Sequence, residues 1–426
     1  MRDSLIVKNT LWMLIGHSVR TILQAVYFIL LARAVGATGY GAFIGVSALV
    51  AILAPFASLG SGNILIKHVA RDPGVFRKYW GNAIALTFVS GGVLLVALLV
   101  MSRFMLPRSI TLLLVVTIGI ADLLMSRLSD ISGQAYQALQ RLGRTAQLQV
   151  LGNLARLGGV VALILVTQEH TPGQWGIFYL ASAVLSAALS VWLVCRELGK
   201  PQLALSDMRR ELKEGSYFSI GLSAASIYND IDKTMLARLS TLHSAGIYGA
   251  AYRLIDIAFA PVRSLLYAAY ARFFQHGAAG VHGSLRFAMR LLPLAAAYGA
   301  LAGVILFLTA PVMPWVLGAE FHDSVSAIRW LALLPLLRTL HFFAADTLTG
   351  AGHQGIRSAA QVLVALFNVV INFWWIPAYS WLGAAWSSLL SDGLLAVCLW
   401  ALVWRIARSS QPLPQSYPLP IAGGSR

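Results

Sequence analysis

The chain has 426 residues, 58% of them hydrophobic and only 11% charged, and its mean hydropathy is +0.73. Soluble proteins carry about 25% charged residues, and no aqueous core hides this much apolar surface, so lipid must be the solvent. A net charge of +16 would suit a nucleic acid, but the basic residues are gathered in alternate loops, which excludes that reading as well.

Windows of roughly 20 apolar residues mark membrane crossings. Twelve are read along the chain, at 10–34, 42–66, 79–101, 110–136, 144–167, 174–195, 214–237, 246–271, 287–309, 324–349, 356–377 and 382–405. The first is too long for a removable signal peptide and lacks the small-residue cleavage pattern. An even number of crossings puts both termini on one side. That side collects Arg2, Lys8, Lys67, Arg71, Arg77, Lys78, Arg141, Arg144, Arg196, Lys200, Arg209, Arg210 and Lys213. Further along it adds Arg272, Arg286, Arg290, Arg357, Arg405 and Arg408, while the opposite loops hold little beyond Arg103, Arg108 and Arg238. An excess of Lys and Arg marks cytoplasmic loops, so both termini are expected in the cytoplasm. Cys195 and Cys398 form neither a disulfide framework nor a metal-binding spacing.

The chain also repeats itself. Leu31-Ala32-Arg33 followed by Gly39-Tyr40-Gly41-Ala42-Phe43 returns as Leu236-Ala237-Arg238 followed by Gly246-Ile247-Tyr248-Gly249-Ala250. A second echo relates the hairpin around Gln137–Arg144, with Gln147 and Asn153, to that around Thr349–Arg357, with Gln361 and Asn368. Parallel repeats are one standard way to build a transporter. The division expected is a six-helix bundle over 1–196, a cytoplasmic linker over 197–213, a second six-helix bundle over 214–408 and a disordered cytoplasmic tail over 409–426. Gly36, Gly39 and Gly41 are read as turn and packing residues. Gly60, Gly62 and Asn63 permit either close helix packing or a broken helix beside a cavity.

An ionisable side chain at mid-membrane costs about 2.5–3.5 kcal/mol on insertion scales, so the charges within these spans must face protein or water. In the first span His17, Arg20, Gln24 and Tyr27 fall on one helical face. In the seventh, Ser219, Ser223, Ser226, Asp230 and Lys233 make a continuous stripe, with Asp232 about 200° around the helix from Asp230. In the eighth, Arg253, Asp256 and Arg263 share a face, and Arg253 can pair with Asp256. Asp122, Arg127 and Asp130 lie in the fourth span, and Arg156 stands alone in the fifth. Isolated charges of this kind, Arg127 and Asp130 among them, are read first as interhelical pairs or as interface residues that snorkel.

The order Asn9-Thr10-Leu11-Trp12, then Leu31–Phe43, then Leu59–Lys67, then Asp232–Leu236 with Gly246–Ala251, resembles the polysaccharide-biosynthesis flippases of the multidrug/oligosaccharidyl-lipid/polysaccharide exporter superfamily. The likeness runs from about residue 5 to 406. It implies an all-α polytopic membrane protein of about twelve transmembrane helices, in two pseudo-twofold-related bundles around a central cationic cavity. It implies alternating access that carries a polyprenyl-diphosphate-linked oligosaccharide across a bacterial cytoplasmic membrane, with membrane lipids, a polymerase and glycosyltransferases as partners. No cofactor is expected beyond a proton or sodium gradient, no metal, no nucleic acid, and a monomer suffices. By position, Arg20, Arg253 and Arg263 become diphosphate contacts, with His17, Gln24 and Lys233 beside them. Asp230, Asp232 and Asp256 are the candidate coupling carboxylates; Asp232 matches an acidic family position, whereas periodicity favours Asp230. Guanidinium suits phosphate oxygens, and Tyr27, Tyr228, Tyr248 and Tyr252 can stack on sugars or anchor at the interface.

The rivals are a cation-coupled drug exporter, which needs a less basic cavity, and a lipid II flippase, which usually carries extra spans. A membrane-embedded polymerase or glycosyltransferase needs sizeable outer loops. Here the only outer carboxylates are Glu169, Glu320 and Asp323, in loops of ordinary connecting length. A scaffold would not need charged stripes.

Overall fold

The computed structural model describes residues 2–204, 230–278 and 280–409, and the side chains from residue 19 onward except that of Ala271. Everything regular in it is helix; no strand occurs among the described residues. Helix α1 spans Arg2–Leu53, α2 Ser61–Val69, α3 Phe76–Met105 and α4 Leu112–Ala138. They are followed by α5 Leu142–Val166, α6 Pro172–Glu197, α7 at 230–239 and α8 Leu242–Gly277. Then come α9 Val281–Thr309, the short α10 Met313–Leu317, α11 Ser324–Leu331, α12 Leu334–Gly350, α13 Gln354–Tyr379 and α14 Trp381–Ser409.

Nine helical segments among the described residues are long and apolar enough to cross a membrane by length and composition. Helix α8, which carries Arg253, Asp256 and Arg263, is 36 residues long. The seventh expected span, with Ser219, Ser223, Ser226 and Tyr228, lies mostly outside the described residues, as does the tail beyond Ser409. On α3, Val89, Val93, Val96, Val100 and Phe104 recur every three or four residues, and each is more than half exposed. A helix face of that kind is stable only against lipid. The protein is a multi-pass membrane protein.

The chain gathers into two compact units, one comprising Met1–Leu254, Thr309–Trp330 and Asn368–Ser387, the other Ile255–Leu308, Leu331–Phe367 and Ser388–Arg426. In the first, Phe28, Tyr40, Phe43, Trp175 and Tyr179 build an aromatic core that also takes in Leu317 and Phe321. A second core of the same unit forms around Leu65, Trp80, Leu128 and Tyr136. In the other unit the core is Phe259, Phe273, Phe287 and Phe343.

Local chemistry sets the breaks. The first two expected spans are two helices that meet at Gly36 (φ 69°, ψ 176°) within α1, a conformation that glycine adopts without the penalty of a side chain. Beyond this kink the N–H of Ala37 donates to Glu320 Oε2 at 2.9 Å, and Arg33 donates to the carbonyl of Trp315 at 2.6 Å. The second expected span is not continuous. A 3₁₀ turn at Ala54–Phe56 containing Pro55 and positive φ at Leu59 (43°) and Gly60 (66°) separate α1 from α2, because proline contributes no N–H to the helix ladder. Helix α6 begins with a capping box between Thr171 and Gln174 and with Pro172 in its first turn, an arrangement that satisfies otherwise orphaned N–H groups.

The two copies of the glycine repeat pack on each other. A Cβ on Gly41 would overlap the carbonyl oxygen of Leu242, and one on Gly246 would overlap that of Ala37. Each glycine thus faces the carbonyl four residues before its opposite number, and only hydrogen at both positions lets the backbones approach so closely. The connection after α6 is also anchored: Gln202 N–H donates to the Arg77 carbonyl at 2.9 Å. The buried Asn82 amide bonds both the N–H and the carbonyl of Ala204, at 3.0 and 3.1 Å.

Candidate functional site

The first unit encloses a cavity of about 540 Å³, within the range of small-ligand sites, about 300–1,000 Å³. Arg20 and Gln24 of α1 reach it, and the broken second span contributes Pro55, Ser58, Gly60, Gly62 and Asn63. Helix α4 adds Ser126, Arg127, Ser129, Asp130, Gln134 and Gln137; α5 adds Thr145, Gln149, Gly152, Asn153 and Arg156; α6 adds Ser186. The helix break makes part of this wall, so Gly60, Gly62 and Asn63 follow the second of their two readings. A Cβ on Gly62 would meet the side-chain amide of Gln134, which would have to swing aside.

Three arginines and one carboxylate line the cavity, and each charge is held differently. Arg127 Nη2 lies 3.0 Å from Asp130 Oδ2 one helical turn on, while its buried Nε has no hydrogen-bond partner. Of the two carboxylates open to Arg127 in the sequence, it takes Asp130. Asp122 goes to Arg156, whose Nη2 lies 3.4 Å from its Oδ1 and 3.1 Å from Ser126 Oγ. The Tyr179 hydroxyl donates to Asp122 at 2.9 Å, and the Arg156 guanidinium lies 5.1 Å from the Tyr179 ring centre. Arg156, solitary in sequence, is therefore an oriented side chain at the cavity wall. Asp122 belongs to a π-helical stretch of α4, Ala121–Met125, a local widening frequent at functional sites.

Of the candidates from sequence, Arg20 and Gln24 line the cavity, and Arg253 Nη2 donates to Gln24 Oε1 at 3.4 Å. The side chain of His17 lies outside the described residues. On α7, Asp230 and Asp232 take different partners. Asp230 accepts from Lys233 Nζ at 2.7 Å. Asp232, 2% exposed, accepts from the Lys233 N–H at 2.8 Å and from the Tyr248 hydroxyl. Lys233 Nζ also lies 4.3 Å from the ring centre of Tyr252. Tyr248 and Tyr252 are buried and offer no open face to a sugar, and the Tyr27 ring packs 5.8 Å from Trp175.

Asp256 and Arg263 belong to the second unit. There Asp256 accepts from Arg338 at 2.9 Å, with Arg263 at 3.7 Å. Asp392 lies 3.6 Å from Arg338 Nε and 3.3 Å from His341 Nε2. Arg357 donates to Thr349 at 2.6 Å and lies 3.6 Å from Asp346.

Sequence reasoning left Gln134, Gln149 and Arg156 out of the site. A signal was available: Gln149, Asn153 and Arg156 step by four and three, as do Ser126, Asp130, Gln134 and Gln137 by four, four and three, each series on one helical face.

The spans are all helical, the second is broken beside a polar cavity, and solved structures share the fold. An inward-facing multidrug resistance transporter of the MATE family and MOP superfamily matches with a TM-score of 0.74 at 14% identity, over 96% of this chain and 100% of that one. A MOP superfamily transporter from Pyrococcus furiosus, described as having a binding pocket of reversed polarity, matches at 0.59 and 16% identity over 95% of each chain. By sequence, the chain belongs to the polysaccharide biosynthesis protein family, whose model matches residues 6–274. It is also similar to the probable low-salt glycan biosynthesis flippase Agl15 of Haloferax volcanii, 22% identical over 373 residues that cover 84% of this chain and 75% of the relative.

Proposed function

We propose that this protein is a lipid-linked oligosaccharide flippase, which moves a polyprenyl-diphosphate-linked glycan across a bacterial cytoplasmic membrane by alternating access. One observation carries the reading. Inside a chain of the polysaccharide biosynthesis family, apolar helices enclose a roomy cavity walled by arginines, amides and hydroxyls. Such a wall replaces the hydration of a polar headgroup, while the lipid tail stays among the surrounding acyl chains. The guanidinium groups of Arg20 and Arg253 remain charged at any physiological pH and offer phosphate oxygens several donors in one plane. The two halves are taken as 1–196 and 214–408, joined by the cytoplasmic 197–213 connection, with both termini cytoplasmic. Proton or sodium coupling would run through Asp230, Asp232 or Asp256.

The test is export in cells that depend on this protein. Arg20→Ala and Arg253→Ala each remove charged hydrogen bonds worth about 1.5–3 kcal/mol. Both variants should lose surface polysaccharide and accumulate its lipid-linked precursor on the cytoplasmic side, at wild-type membrane levels of protein. Normal polysaccharide from both variants would overturn the assignment of these residues.

A further inference from the structure

We propose that the amide-bearing wall of the first unit's cavity, on α4 and α5, reads the sugar portion of the substrate. Resting on the flippase reading above, this deepens it by assigning one wall to one part of the molecule. A phosphate at neutral pH accepts hydrogen bonds and donates almost none, so it seeks a wall of donors. A sugar hydroxyl donates and accepts, and so does each side-chain amide. Asn63, Gln134, Gln149 and Asn153 present such amides on three different helices around the space, and Asp130 adds a carboxylate acceptor. Asn153 Nδ2 is spent on the Gln149 carbonyl at 2.7 Å, which leaves its oxygen as an acceptor.

Arg20, Arg127 and Arg156 offer donors alone, whereas the amides and Asp130 also supply the acceptors that a sugar hydroxyl needs and a phosphate does not use. A hydroxylated ring meets a partner at every one of them. The cavity has no aromatic residue in its lining, so it takes the ring by its polar edge through hydrogen bonds and not by stacking. Bidentate and amide contacts of this kind discriminate one hydroxyl arrangement from another, because a missing partner leaves a desolvated polar group unpaired. Gln149 and Asn153, one turn apart on α5, are therefore specificity-determining residues. Arg20 and Arg253, joined through Gln24, are left for the diphosphate.

The full chain in lipid nanodiscs decides this, with binding measured for polyprenyl diphosphate alone and for the same lipid carrying glucose, galactose or N-acetylglucosamine. At least one sugar-bearing lipid should bind more tightly than the bare diphosphate. Gln149→Ala and Asn153→Ala should each weaken that lipid by about tenfold and leave the bare diphosphate unchanged, whereas Arg253→Ala should weaken both. Both α5 residues are at least partly exposed, and unchanged melting temperatures will confirm that the variants fold. If the variants weaken bare and sugar-bearing lipid equally, or if no sugar adds affinity, the assignment of the cavity falls while the flippase reading stands. Wild-type protein that binds none of these lipids overturns both.

Discussion

In the second unit Arg338 is 5% exposed and touches two carboxylates, Asp256 at 2.9 Å and Asp392 at 3.6 Å, with His341 closing on Asp392 from the same helix. In the first unit Arg127 holds one carboxylate at 3.0 Å, leaves its Nε without a partner and opens onto the cavity. Both clusters set arginine against carboxylate, yet Arg338 is closed in by carboxylates of two other helices and Arg127 meets one carboxylate of its own helix and faces open space. A charged group in a membrane protein is therefore informative by what its remaining hydrogen-bond capacity faces. The closed cluster reads as architecture, and the open one as a surface for something else to bind.

Three substitutions sharpen or break that contrast. The largest effect belongs to Asp392→Ala, which leaves the buried Arg338 with Asp256 alone and takes the carboxylate from the buried His341. Removing one partner of a buried pair costs about 3–5 kcal/mol, so the variant should show a sharply lowered melting temperature in detergent, with or without glycan lipid. An unchanged melt would show the network to be dispensable. Asp122→Ala comes next. Arg156 loses its carboxylate but keeps Ser126 and access to water, so the stability loss should be about 1–3 kcal/mol. Export should fall further than that loss explains, because Arg156 is no longer aimed; a fall matched by protein level alone would argue against an orienting role. The smallest stability effect is expected of Arg127→Gln. Its ion pair is partly exposed, and such pairs contribute about 0–1 kcal/mol, so the melt should barely move while export drops. A variant that exports normally would close the distinction between the two clusters.

The crossing pattern, the repeat and the polar faces were legible because each is a matter of spacing along one helix. Apolar windows located the helices, and Asp230 and Asp232 take different partners, the Lys233 ammonium for one and the Lys233 N–H with the Tyr248 hydroxyl for the other. The second span shows where this stops. Gly60, Gly62 and Asn63 allowed either close packing or a break, and nothing local said that a gap there would open onto α4 and α5. Arg156 shows the same limit more sharply. Its partner Asp122 is 34 residues away, so the sequence offers a lone cation where the fold makes an oriented one. Tyr248 stood between sugar stacking and interface anchoring in the sequence; its ring is buried and its hydroxyl is committed to Asp232.

The reciprocal fit of Gly41 and Gly246 has a bearing on how such a chain can vary. Each copy of the repeat supplies both the notch and the carbonyl that enters the other's notch, the mutual arrangement that a two-fold axis imposes on a pair of identical surfaces. Neither copy is then free to drift alone. A side chain acquired at one glycine displaces a turn of helix in the other half, and no adjustment within its own half relieves it. What couples the two copies is the space between each glycine and the carbonyl of the other.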